Sequence, residues 1–513
     1  HKVSFFRGVP TIYAGLLQIP SEGHDLSSLK YALCGAAPMP VELIRQFEAK
    51  TGLTLLEGYG LTEGTCGSCA NPPAGERRPG SIGLPMPYCE VRIKVLDEQG
   101  RYRPFDELRY RWAPCLDSHL CWALVKKARA AQYSRLLPLG EPLQWGHYLL
   151  TPLAQKAISA VDRQATTAAL EFMTSQIGEH AHFSYLLNDL IEDEAISSSQ
   201  LEGAATTTRV AKDMLKRKRQ PRTPDERMVI GNYKMMNYAW EKRDEPLSIE
   251  LISAMHRVGV EGIDDAQYSP GAFRNNDEVV VQDGEGNTVH VPPQAAGLVS
   301  RLQRLANWIN QCHDDPEQVD YLHPLIKGIS LHFALGYEHP FRDGNGRVAR
   351  SLFYWHLFRH NFGAFRYIAI SLLLKEAAVQ YGKSYLYCET DGMDLTYFID
   401  YQANIIARAV TRFKQAYDQA LSEIQQFDLW LRQSGLLRQL SPNQRTILQV
   451  AHKGAVPHFT AAAVSANLGC SYNTASSALN GLVELKLFAK EKAGREWVFT
   501  MLKRGDIVRE WRG

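Results

Sequence analysis

His339-Pro340-Phe341-Arg342-Asp343-Gly344-Asn345-Gly346-Arg347, continuing through Val348 and Ala349 to Arg350, is the stretch from which the rest of the chain is read. Gly344 and Gly346 flank Asn345, so the backbone here can take turns closed to residues with a Cβ and can aim successive N–H groups at one point. The residues from Arg347 to Trp355 carry helix-compatible spacing, and a loop of donors feeding a helix N-terminus is an anion site. Arg347 and Arg350 are three apart and can reach the same phosphate chain. Asp343 is a hard oxygen ligand suited to the Mg²⁺ that nucleotide phosphates require. His339 titrates near neutrality and is placed to take a proton from an attacking hydroxyl. Arg342 is assigned no role.

On either side of this stretch helical patterns dominate from Leu149 onward. Pro152 opens a run predicted to continue to Phe172, and Phe183–Leu187 is a further apolar run. Helices are expected over Leu251–Val258, Ala296–Asn310 and His323–Glu338, the last delivering His339 from its C-terminal end. Others are expected from the motif through Phe358, over Leu372–Leu386 and over Thr396–Phe413. Tyr268 to Arg274 reads as a turn. Val279–Val281 and Val289–Pro293, joined by Asp283-Gly284-Glu285-Gly286, read as a hairpin. Upstream, Ser198 and Glu202 are four apart and share a helical face, with Gly203 ending the turn. Lys216-Arg217-Lys218-Arg219 is read as a helix C-terminus followed by a solvated loop.

The motif resembles the signature of Fic-domain proteins, His-x-Phe-x-Asp/Glu-Gly-Asn-Gly-Arg-x-x-Arg, and matches it at every fixed position. Ser198, Glu202 and Gly203 match the inhibitory motif found beside many such domains, Ser/Thr-x-x-x-Glu-Gly/Asn. The resemblance implies a protein adenylyltransferase that moves AMP from ATP, with Mg²⁺, to a Ser, Thr or Tyr hydroxyl of a target protein. His339 would be the base and Asp343 the metal ligand. Asn345 and the amides of Gly344 and Gly346 would hold the α-phosphate, and Arg347 with Arg350 the β- and γ-phosphates. Glu202 would hold Arg350 away from ATP. The hairpin over 279–291 would be the flap that docks the target by strand addition. Tyr381 and Tyr385, at i and i+4, would bracket the adenine. The motif leaves the transferred nucleotide open. It also leaves open a de-AMPylating enzyme and a DNA-binding regulator whose core only senses nucleotide.

The first hundred residues carry a second resemblance. Gly35-Ala36-Ala37-Pro38 after Tyr31–Cys34, and Gly58-Tyr59-Gly60-Leu61-Thr62-Glu63 after Leu53–Leu56, are strand-then-glycine turns. The stretch from Val9 to Asp97 resembles the middle of an adenylate-forming acyl-CoA ligase, in which Thr62 would touch a phosphate and Glu63 would hold Mg²⁺. That family's upstream phosphate loop, downstream ribose-binding Asp and C-terminal Lys-bearing domain have no counterpart. Residues 1–104 are therefore expected to be an incomplete α/β fragment without ligase activity: a relic, a truncated fusion or a joining error. The chain opens on His1 rather than Met, so its natural N-terminus is expected to lie outside it. Residues 105–137 read as a junction, helical over Leu120–Tyr133.

After a polar stretch near Gln425–Gln439, residues 436–513 show short helices over Pro442–Val450, Thr460–Ala466 and Ser471–Leu485. A two-stranded wing over Phe488–Lys490 and Trp497–Thr500 turns at Ala493-Gly494. This resembles a winged helix-turn-helix and makes 471–500 a candidate DNA contact, although the third helix carries no arginine or lysine before Lys486.

The expected architecture is therefore mainly α: a Fic-type bundle with its flap over 138–425, then the winged helix. Lys plus Arg number 57 against 55 Asp plus Glu, a net charge of +2 that argues for no strong nucleic-acid or membrane field. No apolar run approaches the ~18 residues of a membrane span. Nine cysteines, an odd number, read as reduced cytoplasmic usage, with Cys66 and Cys69 incidental. A homo-oligomer is left open.

Overall fold

The computed structural model describes residues 3–20, 23–60, 67–86, 95–112, 117–177, 192–216, 219–263, 269–282, 286–452, 458–493 and 496–511. Leu61, Thr62, Glu63, Cys66, the run Phe183–Leu187, Arg217, Lys218, Tyr268, the 283–285 loop and Gly494 lie outside the described residues. The chain divides into two compact units, His1–Asp97 with Phe105–Gln132, and Glu98–Pro104 with Tyr133–Gly513. The 105–132 stretch, read from sequence as a junction, thus clusters with the N-terminal segment, whereas 98–104 clusters with the larger unit.

In the smaller unit, strands Phe5–Gly8, Tyr31–Cys34 and Thr54–Tyr59 pair in parallel. Cys69–Ala70 and Leu84–Pro85 extend the sheet antiparallel. Helices Pro10–Gln18 and Val41–Thr51 cover a small core of Tyr13, Ala32, Cys34, Ile44, Phe47 and Leu55. The expected Leu120–Tyr133 helix is Ser118–Ala130, because the Asp117 side chain caps it by accepting from the backbone of His119 and Leu120.

The larger unit is mostly helical. At its centre Pro324–Glu338 packs on Asn345–Arg359, and nearly every residue of both is buried. Helices apolar on all sides belong inside a bundle rather than on its surface. Pro324 at the first position needs no N–H partner, and His323 caps the same end by accepting from Leu325 N–H at 3.0 Å. Around this pair stand Pro224–Glu241, Ile249–Val260, Leu298–Asn310 and Thr396–Gln433. Pro224–Glu241 and Ile249–Val260 approach so closely at Gly231 that a Cβ there would lie 2.1 Å from the Gly259 carbonyl oxygen.

Several expected elements differ. The Pro152–Phe172 run is two helices, Pro152–Gln164 and Thr167–Ile177. It breaks where Ala364 N–H donates to Ala165 O and Thr167 N–H donates to Asn361 O, bonds from distant segments that local pattern does not reveal. Leu372–Leu386 likewise splits at Ala377 into Ser371–Glu376 and Ala378–Thr390. The Thr396 helix does not end at Phe413 but runs to Gln433, through the 425 boundary. Its polar stretch carries good helix formers and meets no glycine until Gly435. The hairpin is shorter than expected: Val281–Gln282 pairs with Thr288–His290, and the prolines that follow cannot donate to a ladder.

Near the C-terminus, helices Pro442–His452, Ala461–Leu468 and Tyr472–Glu484 precede the hairpin Phe488–Ala493/Glu496–Met501. Their core includes Leu448, Leu479, Phe488 and Phe499, and also Phe427 and Leu431 from the long helix. A further helix, Arg504–Glu510, was not expected; Arg504 holds it by donating to the His452 carbonyl at 2.8 Å. Among the described residues no helix is long and apolar enough to cross a membrane.

Candidate active site

The loop between the two central helices begins at His339, which caps Pro324–Glu338 in the left-handed region (φ 46°, ψ 59°). A non-glycine residue pays strain there, so something must hold it. That holder is Arg274. Its Nε donates to the His339 carbonyl at 2.9 Å and its Nη2 to the Glu338 carbonyl at 3.3 Å. Nη2 also donates to Pro293 O, just past the hairpin, and the Arg274 N–H donates to Pro340 O at 2.8 Å. A buried ion pair, Arg301 Nε to Glu338 Oε2 at 2.8 Å, braces the same helix end. One arginine thus ties the exit of the hairpin to the backbone of the candidate base.

The His339 ring has a defined tautomer. Nδ1 lies 3.1 Å from the Gly336 carbonyl oxygen, which only accepts, so Nδ1 carries the hydrogen and Nε2 keeps its lone pair. Burial lowers the ring's pKa to about 4. The imidazole is therefore neutral at pH 7 and able to accept a proton at Nε2.

His256 supports the other side of the loop. Its Nδ1 accepts from Gly271 N–H at 3.0 Å, so Nε2 carries the hydrogen and donates to the Asp343 carbonyl at 3.1 Å. Its ring stacks on Phe341 with centroids 3.9 Å apart, and burial lowers its pKa to about 4 as well.

Asn345 corrects the sequence reading. Its Oδ1 accepts from Phe341 N–H and its Nδ2 donates to Phe341 O, both at 2.8 Å. The side chain braces the loop instead of facing a phosphate. Gly344 caps Asn345–Arg359 at φ 79°, a conformation that favours glycine, and a Cβ there would stand 3.2 Å from Arg347 Nη2. A helix start of this kind favours an anion.

Over that helix start stands the 192–201 helix with Glu202 at its end. Ser199 Oγ donates to Met228 O at 3.2 Å and Asn232 Nδ2 donates to Ala195 O at 3.0 Å, which docks the helix on Pro224–Glu241. Arg350 is fully buried. Its Nη2 donates to Glu202 Oε1 at 2.8 Å and to Ser198 O at 3.0 Å, and its Nε donates to Ser198 Oγ at 2.9 Å. Glu202 Oε1 also lies 2.2 Å from where a Cβ of Gly346 would be. A side-chain carboxylate thus covers the first turn of the motif helix, where an anion is favoured. Burial opposes ionisation of Glu202, but Arg350 and then Arg347 outweigh it and hold the carboxyl below its usual range. Gly203 ends the turn at φ 94°. One turn earlier in each case, Ser198 and Glu194 share this face. The buried Glu194 accepts from Ser371 N–H at 2.8 Å and from Ser371 Oγ at 2.6 Å, and burial raises its pKa.

The Asp343 carboxylate accepts from Gly344 N–H through Oδ1. Among the described residues no three His, Cys, Asp or Glu side chains form a metal cage. One hard carboxylate beside an anion-binding helix start nevertheless fits Mg²⁺, which takes few protein ligands and fills its shell with phosphate oxygens and water.

Tyr381 and Tyr385 do not bracket a base. Their rings meet edge to face, 75° apart with centroids at 5.5 Å, which leaves no slot between them. Tyr381 OH pairs with His332 Nε2 at 2.8 Å and Tyr385 stacks on Phe333. The i, i+4 spacing placed both on one wall, but core aromatics already occupy their faces.

On the hairpin, His290 Nε2 lies 2.9 Å from Tyr337 O, and Nδ1 lies 2.7 Å from Glu389 Oε2. His256, Arg274, His290 and Glu194 join the site without being candidates in the sequence. Arg274 alone carried a visible signal, as an arginine closing a Pro-Gly turn.

Two family models match the chain: AMP-binding enzyme over residues 1–108 and Fic/DOC family over residues 246–357. The chain thus carries a Fic domain, preceded by a segment of the AMP-binding acyl-CoA ligase type. Over 100 residues it is 46% identical to a marinolic acid–CoA ligase of Pseudoalteromonas sp., covering 20% of this chain and 15% of that protein. Over 94 residues it is 49% identical to a long-chain-fatty-acid–CoA ligase of Bacillus subtilis, covering 18% and 17%. The chain therefore spans less than a fifth of the length of these ligases. Similar solved structures include a Fic family protein from Desulfovibrio desulfuricans (TM-score 0.43, 16% identity, 69% of this chain and 97% of that one). Another is a Fic domain containing signaling protein from Bacteroides thetaiotaomicron (TM-score 0.40, 18% identity, 48% and 96%).

Two expectations follow from these contacts. Arg274→Ala strips donors from several buried carbonyl groups and should cost on the order of 2–5 kcal/mol, with Arg274→Lys intermediate; urea unfolding reads both. The second concerns pH. His339 and His256 titrate at about 4 in the fold, against about 6.5 unfolded. The unfolded chain therefore binds more protons between those values. The stability these rings contribute is fully present above pH 6.5 and is lost as pH falls towards 4. Burial pushes His332 and His356 the same way. Urea midpoints should fall steadily from pH 7 to 5; a flat profile contradicts the neutral-imidazole assignment.

Proposed function

We propose that the chain is a protein adenylyltransferase held off by Glu202. The observation that carries this reading is the Glu202–Arg350 pair standing over Gly346. An arginine committed to a carboxylate is not free to hold a γ-phosphate, and the carboxylate takes the place an anion would occupy.

With Glu202 withdrawn, the helix-start amides and Arg347 and Arg350 are the groups for the triphosphate of ATP. Asp343 would hold Mg²⁺, which supplies charge neutralisation to the phosphates. His339 Nε2 takes the proton from the target's Ser, Thr or Tyr hydroxyl. The oxygen forms a bond to the α-phosphorus, the bond from that phosphorus to the bridging oxygen breaks, and pyrophosphate leaves. Catalysis is then positioning plus electrostatics. Exposed Val280, Val289 and Val291 along the hairpin suit the docking of an extended target segment.

Intact-mass analysis of the Glu202→Gly protein after incubation with ATP, and separately with UTP and GTP, tests the reading. One added AMP per modified chain or added target supports it. No adduct from any nucleotide rejects the transferase, and an adduct from UTP alone changes the transferred group.

A further inference from the structure

We propose that a small cleft beside Arg342 is a subsite for an acidic residue of the target, an aspartate or glutamate flanking the acceptor hydroxyl. The inference rests on the transferase reading above. The cleft has a volume of about 210 Å³ and is lined by His256, Ser269, Phe273, Arg274, Asn275 and Arg342. That is below the usual range for whole small-molecule ligands and suits one side chain. Its walls touch the loop at two points: His256 bonds the Asp343 carbonyl and Arg274 bonds the His339 carbonyl. A residue seated there lies beside the loop that carries the candidate base.

The lining divides into spent and unspent groups. Both nitrogens of His256 are committed, one to Gly271 N–H and one to the Asp343 carbonyl, so the ring is neutral and saturated. The Arg274 guanidinium is spent on carbonyl groups and on Asp277. Arg342, Asn275 and Ser269 are exposed, and among the described residues none of these three side chains makes a hydrogen bond or ion pair. By contrast Arg301 and Arg350 near the same loop are ion-paired. One guanidinium, one amide and one hydroxyl opening on the same cleft, with no partner for the cation among the described residues, form a complement to a carboxylate. A carboxylate can accept from the guanidinium fork and from a neutral donor together.

The test presents the Glu202→Gly protein with labelled ATP and a peptide library that fixes one acceptor serine and varies its neighbours. Aspartate or glutamate should be selected at one flanking position, with labelling about tenfold above the lysine counterpart. Arg342→Glu in the same background should reverse that preference, Arg342→Lys should keep it in weaker form, and ATP affinity should stay unchanged in both. Labelling without acidic selection, selection indifferent to Arg342→Glu, or a loss of ATP affinity in its place overturns the subsite and leaves the transferase standing. No label on any peptide or on the protein itself counts against the transferase, and the subsite falls with it.

Discussion

Replacing Glu202 by glycine is expected to raise AMP incorporation from labelled ATP by about 10- to 150-fold. The range follows from the contact removed. A hydrogen bond to a charged group contributes ~1.5–3 kcal/mol, and each ~1.4 kcal/mol is tenfold in an equilibrium. The parent protein spends that energy keeping Arg350 on Glu202. On the proposed function, a triphosphate displaces the carboxylate from above Gly346 before it uses the arginine. The same substitution takes the carboxylate from the fully buried Arg350, whose bonds to Ser198 remain, which should lower thermal stability when nucleotide is absent. ATP should then raise the melting temperature of the variant more than that of the parent, because phosphate replaces the lost carboxylate. Equal incorporation by parent and variant would show that the ion pair does not gate the site.

Removing the imidazole should have the opposite result. His339→Ala in the Glu202→Gly background is expected to cut incorporation by roughly 10²- to 10⁴-fold, the usual contribution of a positioned base. Nucleotide affinity should change little, because His339 sits at the end of Pro324–Glu338 while the anion donors belong to the start of Asn345–Arg359. Affinity read by calorimetry alongside single-turnover labelling separates the two. A double variant that labels as fast as its parent removes His339 from the chemistry. A double variant that no longer binds ATP assigns the histidine to binding instead.

How far the sequence carried the reading depends on where each contact partner lies. His339, Asp343, the two glycines and the two arginines fall within one loop and the first turns of one helix, where the proposed phosphate chain would lie. Their chemistry could be read without a fold. Glu202 lies 148 positions from Arg350, and only the Ser198-to-Glu202 spacing, through its resemblance to a known motif, connected them. Arg274 shows in the sequence only as the residue that closes a Pro-Gly turn; its hold on the loop is not legible there because it acts on backbone carbonyl groups, which leave no mark in a sequence. Asn345 was misassigned for a related reason. A polar side chain beside glycines suggests a ligand contact, but the same amide can satisfy its own loop. The breaks at Ala165 and Ala377 were hidden because bonds or packing from elsewhere in the fold end helices that local periodicity would continue. The polar stretch near Gln425–Gln439 reads as a boundary in the sequence, although polarity in good helix formers marks an exposed helix face as readily as a linker.

That misread stretch has a mechanical consequence. Thr396–Gln433 is one unbroken rod of 38 residues, roughly 57 Å at 1.5 Å per residue. Near its start Phe398 lies against His332 and Tyr385 of the central core, and near its end Phe427 and Leu431 complete the terminal cluster. A truncation at 425 would not release two tidy modules: it would strip the terminal one of two aromatic and aliphatic keystones while leaving the other with a frayed, solvent-facing stub. Anything that grips the terminal cluster therefore holds one end of a beam whose other end is set beside His332 and Tyr385, in the wall behind the proposed nucleotide cradle.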